Sequence, residues 1–108
     1  MRTISVLALA AGFGWSIGAS AQDVSAAEAL MKKSGCMKCH SVSAKKEGPS
    51  FKETAAKSKG KPDAQAALFK HLTTNPKIKV DGKEELHDAL KTKNEAEVKN
   101  VVAYILSR

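Results

Sequence analysis

Five consecutive residues, Cys36-Met37-Lys38-Cys39-His40, constrain this chain more than any other stretch, and they contain its only two cysteines. A pair at this spacing has three common uses: a thioredoxin-like redox couple, half of a zinc site, or the anchor of a c-type haem. The redox couple needs a βαβ setting, and strand patterns are nearly absent here. Zinc needs a fourth ligand and usually a second knuckle. Haem attachment needs this arrangement for a geometric reason. Two thiols three residues apart on a short helical turn meet the two vinyl groups, and the adjacent histidine projects onto the iron from the same face. In an exported chain the motif points to covalent haem c, held by Cys36 and Cys39 with His40 as an axial ligand.

Export is indicated by the first twenty-one residues. Met1-Arg2 gives a positive start, an apolar run follows, and Ala19-Ser20-Ala21 presents small residues before Gln22. That is the layout of a secretory signal peptide. The apolar run is also nearly long enough to be a membrane anchor. Its glycines and serines and the A-x-A ending favour cleavage. The expectation is a cleaved leader at 1–21 and one domain at 22–108, placed in the periplasm and not spanning the membrane.

Phe13 and Trp15 would leave with the leader, so the domain keeps Phe51, Phe69 and Tyr104 as its aromatics. So small a domain with so few bulky residues is marginal unless something else fills its core. A large apolar cofactor meets that need. The chain has 18 Lys and Arg against 11 Asp and Glu, a formal charge of +7. The lysines come singly or in pairs, as at Lys32-Lys33 and Lys45-Lys46, which suits solvated faces or docking to acidic partners. Basic runs interleaved with aromatics are absent, which argues against nucleic acid.

Four helices are legible. The first spans 24–37, with Ala26, Ala27, Leu30 and Met31 on or near one face. Ser50 and Glu53 have capping-box spacing and open a short second helix to about Ser58. Asp63 can cap a third, striped by Ala67, Leu68 and Leu72. Asn94 with Glu97 opens the last, where Val98, Val101, Val102 and Ile105 recur at helical spacing. Between the last two, Asn75-Pro76 and Asp81-Gly82 are turn signals. Ile78 and Val80 alternate with lysines as a short extended piece. Glu84 to Leu90 reads as one or two helical turns, from the i, i+4 pair Leu86 and Leu90.

These features together resemble a class I c-type cytochrome of the small bacterial kind. "AAEALMKKSGCMKCHSV" is similar to that family's N-terminal helix running into the haem motif. Gly48-Pro49 follows His40 by eight and nine residues, where the family has its Gly-Pro, and "NEAEVKNVVAYILS" is similar to its closing helix. The resemblance implies an all-α fold of about four short helices around one haem c. It also implies that the Pro49 carbonyl accepts a hydrogen bond from the His40 ring, which would fix the ring and raise its donor strength. Gly48 would let backbone approach closely, although Gly-Pro by itself reads as a plain turn.

One family feature is missing. Most members place a methionine on the second haem face, in a proline-rich loop before the last helix. Here no methionine follows Met37, and no proline follows Pro76. Met1 belongs to the leader, Met37 sits inside the motif, and Met31 is suited to packing. His87 stands 47 residues after His40 and 17 before Tyr104, close to the methionine's usual place. A neutral imidazole there could ligate iron, with Asp88 or a local carbonyl holding its other nitrogen. His71 is expected nearer a haem propionate, Lys79 would have to lose a proton to bind, and an empty sixth position stays open.

The expected function is a periplasmic monohaem electron carrier, monomeric, of low potential, with His40 and His87 on iron. It would not be an enzyme: no nucleophile–base–acid set is visible. The alternative is a gas-binding or sensing haem protein with a vacant or labile sixth position.

Overall fold

The computed structural model describes residues 22–108 and the isolated Gly12. The expected leader, 1–21, otherwise lies outside the described residues. The element order is α1 (Val24–Lys33), a single 3-10 turn (Cys36–Lys38), α2 (Phe51–Ser58), α3 (Ala64–Thr73), β1 (Lys77–Val80), β2 (Lys83–Leu86) and α4 (Glu95–Leu106).

α4 is the hub, packing on α1, α2 and α3. Its Val98, Val101, Val102, Tyr104 and Ile105 are buried, meeting Ala27 and Met31 of α1, Phe51 of α2 and Leu72 of α3. Small Ala27 allows the α1–α4 crossing to be close. A reciprocal pair fastens that crossing: Asn100 accepts from the Asp23 amide and donates to the Asp23 carbonyl, both at 2.8 Å. The Tyr104 hydroxyl donates to Glu28 at 3.1 Å, so a nearly buried phenol keeps a polar partner. Among the described residues no helix is long and apolar enough to cross a membrane.

The expected caps fared unequally. Ser50 accepts from the Glu53 amide at 3.1 Å, and Asn94 from those of Ala96 at 2.9 Å and Glu97 at 3.3 Å. Each sits at the start of its helix in extended backbone, as a capping side chain requires. Asp63 heads α3 without a side-chain cap. Its φ of −95° and ψ of 3° turn the backbone out of the extended region that capping needs.

Two expectations about element boundaries are corrected. α1 stops at Lys33, not at 37. Ser34 and Gly35 donate to the Leu30 and Lys32 carbonyls, and Gly35 takes the left-handed φ of 77° that ends many helices. That reversal releases the next residues to form their own turn. The stretch 84–90 is not helical: Lys83–Leu86 pairs antiparallel with Lys77–Val80. Asp81 (φ 50°) and Gly82 (φ 79°) supply two left-handed residues, the geometry of the tightest hairpin turn. That turn outweighs one i, i+4 leucine pair. Leu86 is 63% exposed while Leu90 is buried, so they do not share a face.

Asn94→Ala should cost about 1 kcal/mol of stability by loss of the α4 cap, read as a lower denaturant midpoint at unchanged slope. An unchanged midpoint would mean that α4 is held by packing alone.

Candidate functional site

The 3-10 turn and the loop after it form one wall of a cleft of about 690 Å³. α3 and the β1–β2 hairpin, with the strap that follows it, form the other, and Val101 and Ile105 of α4 lie at its floor. Cys36, Cys39, His40, Gly48, Pro49, His71 and His87 all line it. These seven span fifty-odd positions of sequence, and the fold gathers them around one space.

The motif turn is closed by Cys39 and His40 donating to the Cys36 carbonyl at 3.2 and 3.0 Å. Both thiols are free and half-buried. Burial pushes the Cys36 thiol above its ordinary pKa. Cys39 is raised chiefly by its hydrogen bond to Glu47, Sγ to Oε2 at 3.3 Å.

His40 is fixed from several sides. Its Nδ1 lies 2.8 Å from the Pro49 carbonyl oxygen. That oxygen can only accept, so Nδ1 carries the proton and Nε2 keeps its lone pair. The Gly48 amide donates back to the Cys39 carbonyl at 2.8 Å. Gly48 itself passes so close to the imidazole that a Cβ would meet Nδ1 at 2.8 Å and collide with Cε1. Phe51 stacks on the ring, centres 5.6 Å apart and planes 21° apart, and meets Tyr104 edge-on at 6.2 Å. The imidazole is thus seated on the helical core.

Across the cleft, His87 follows β2 on the strap. Its amide donates to the Pro76 carbonyl at 2.8 Å, and its carbonyl accepts from the Asn75 side chain at 2.9 Å. Three residues on, the Leu90 amide donates to the Leu72 carbonyl at 2.9 Å. The His87 ring centre lies 6.2 Å from that of His40, tilted 57°, and 4.1 Å from that of His71, tilted 48°. His87 Nδ1 is buried without a hydrogen-bond partner. Burial is the main cause that lowers its pKa, with His40 adding, while the Asp88 backbone and carboxylate pull weakly the other way. His71 is lowered by burial first and by the two other imidazoles after it. Burial in the cleft therefore favours the neutral form of His71 and of His87.

The other candidates fall as follows. Met31, buried on α1, lines the cleft at its inner side, and Met37 is exposed outside it. Lys79 lines the cleft from β1. Sequence reading missed Asn75, which is legible only as half of a turn signal. Its role depends on a partner twelve residues away, brought back by the hairpin. It also missed Phe51 beneath His40 and Glu47 beside Cys39, whose contacts are not periodic in sequence.

This donor set fits a haem: two thiols at one edge, an imidazole with its lone pair oriented by its other nitrogen, and apolar walls. Gly48→Ala should drive the new methyl into the His40 ring and strain its bond to Pro49. We expect a lower yield of covalently loaded protein and a changed absorption spectrum. A variant with normal yield and an unaltered spectrum would show that the ring tolerates displacement.

Residues 24–108 match the family model described as Cytochrome c. The chain is 37% identical over 73 residues to cytochrome c-551 of Pseudomonas aeruginosa, covering 67% of each chain. It is 49% identical to cytochrome c-552 of Hydrogenobacter thermophilus over 37 residues, 34% of this chain and 38% of that one. Among solved structures, the class 1 cytochrome MtoD from Sideroxydans lithotrophicus ES-1 superposes with a TM-score of 0.76 at 45% identity, covering 81% of this chain and 97% of the other. Cytochrome c552 of Nitrosomonas europaea superposes at 0.58 with 28% identity, covering 74% and 96%. With this match over nearly the whole described domain, the chain belongs to the cytochrome c family, as a class I c-type cytochrome that carries one covalently attached haem c and transfers electrons to and from redox partners.

Proposed function

We propose that this cytochrome is a low-potential periplasmic carrier whose iron is held by two histidines, His40 and His87, with thioether bonds at Cys36 and Cys39. The observation that carries the reading is the orphaned, buried nitrogen of His87 in a ring 6.2 Å from that of His40. That spacing leaves room between the two imidazoles for one metal atom, which both rings would hold. A buried nitrogen without a partner is costly unless something bonds that nitrogen, as a metal would.

When bound, haem supplies a one-electron couple between ferric and ferrous iron. The chain's part is to hold both imidazoles still, so that little rearranges as the charge changes. Pro49 holds His40 in the tautomer that offers Nε2, and Gly48 lets that loop close onto the ring. Asn75 and Pro76 hold the His87 backbone at both its amide and its carbonyl. Met31, Phe51, Leu68, Leu72, Val101 and Ile105 give the cleft an apolar inner lining. Imidazole donates more strongly to ferric iron than methionine does, and methionine ligation raises a cytochrome's potential, so the pair of histidines supports a low potential. His71 would approach a propionate as well as His87. The leader at 1–21, export to the periplasm and a monomeric state complete the reading. The lysines scattered over the surface would steer acidic partners, and the carrier performs no catalysis of its own.

His87→Met should raise the midpoint potential on the order of 0.1 V, a fraction of the roughly 0.8 V that axial ligands span. An unchanged potential would remove His87 from the iron. The unmutated ferrous protein should exclude carbon monoxide. Ready uptake would put the gas-binding reading first.

A further inference from the structure

We propose that His71 is a reserve ligand for the position assigned to His87, taking it when the strap that carries His87 lifts away. This rests on the two-histidine reading and adds a second occupant of the same site. The two rings touch, with centres 4.1 Å apart, and both line the one cleft. Yet they ride on different elements. His71 belongs to the last turn of α3, beside Leu72, which is buried in the core.

His87 rides on the strap after β2. Its own backbone is tied by the bonds from Asn75 and to Pro76. The Asn75 bond is exposed, and hydrogen bonds of this kind contribute about 1 kcal/mol each. β2 is exposed along its whole length. The strap's far end is pinned to the core at Leu90 and Lys91, but the stretch from β2 to His87 is loosely held, where local opening is cheapest, whereas α3 packs on α4. An opening that withdraws His87 leaves His71 where it was, beside the vacated space. Side-chain rotation from the helix then brings the second imidazole in. In the haem-loaded protein one iron–nitrogen bond would break and another would form, with no change in oxidation state. Asp88 moves with His87, while Leu72 stays.

Four holoproteins test this by electron paramagnetic resonance of the ferric form and carbon monoxide titration of the ferrous form: unmutated, His71→Ala, His87→Ala and the double variant. His71→Ala should remain low-spin and exclude carbon monoxide like the unmutated protein. His87→Ala should stay mainly low-spin with altered g values, and the double variant should be high-spin. With His71 occupying the position most of the time, the apparent carbon monoxide affinity of His87→Ala should be about tenfold weaker than that of the double variant. High-spin His87→Ala with the affinity of the double variant would overturn the proposal while leaving His87 as the ligand. High-spin His71→Ala would instead overturn the assignment of His87. Should His87→Ala fail to accumulate, Asn75→Ala loosens the strap and keeps both rings. It should show two low-spin species, the second lost when His71→Ala is added, and a single species would contradict the exchange.

Discussion

The hydrogen bond from the His40 ring to the Pro49 carbonyl organises this molecule. It closes the loop that follows the motif, selects which nitrogen faces the cleft, and turns the ring onto Phe51. Phe51 in turn meets Tyr104 at the centre of the α4 interface. A displacement of the imidazole is therefore felt both in the cleft and in the core. The bond depends on an absence, because any side chain at Gly48 would occupy the space of the ring. A charge-neutral hydrogen bond of this type is modest by itself. Its influence comes from joining a donor nitrogen, a loop and a hydrophobic core in one contact.

The opposite wall is built on another principle. The tight turn at Asp81-Gly82 folds the chain into a hairpin, and the strap beyond it returns to Asn75, Pro76 and Leu72. Few apolar side chains secure it. β2 is exposed, and its Lys77–Glu84 ion pair at 3.2 Å is solvent-facing, a kind worth little. One imidazole is thus seated on the core, and the other hangs on a few hydrogen bonds, from the Asn75 side chain and to the Pro76 carbonyl, with Leu90 as the buried anchor three residues on. On the proposed ligation, that asymmetry would make the His87 position the one open to exchange.

Much of this was legible in the sequence, and what was not has physical reasons. C-x-x-C-H and the distances to Gly48-Pro49 and the closing helix mark the family. Ser50 and Asn94 announce their helices because capping is a local interaction. The end of α1 was misread because helical periodicity continues past Lys33, whereas one glycine, Gly35, decides the stop. The hairpin was misread because Leu86 and Leu90 mimic a helical pair. The Asp81-Gly82 turn set the backbone instead, and with it the side on which each leucine emerged. Asp63 had the right residue type in the wrong backbone conformation. The meeting of His71 with His87, and the hold of Asn75 on the strap, depend on chain segments that only the tertiary fold brings together.

The most direct test of the account is nuclear magnetic resonance of the unmutated ferric holoprotein, with ring nitrogens of histidine labelled and each resonance assigned to its residue. The account predicts large hyperfine shifts for the rings of His40 and His87, and ordinary ligand-free behaviour for most of the His71 population. A His87 ring at diamagnetic positions, with only His40 shifted, would contradict it.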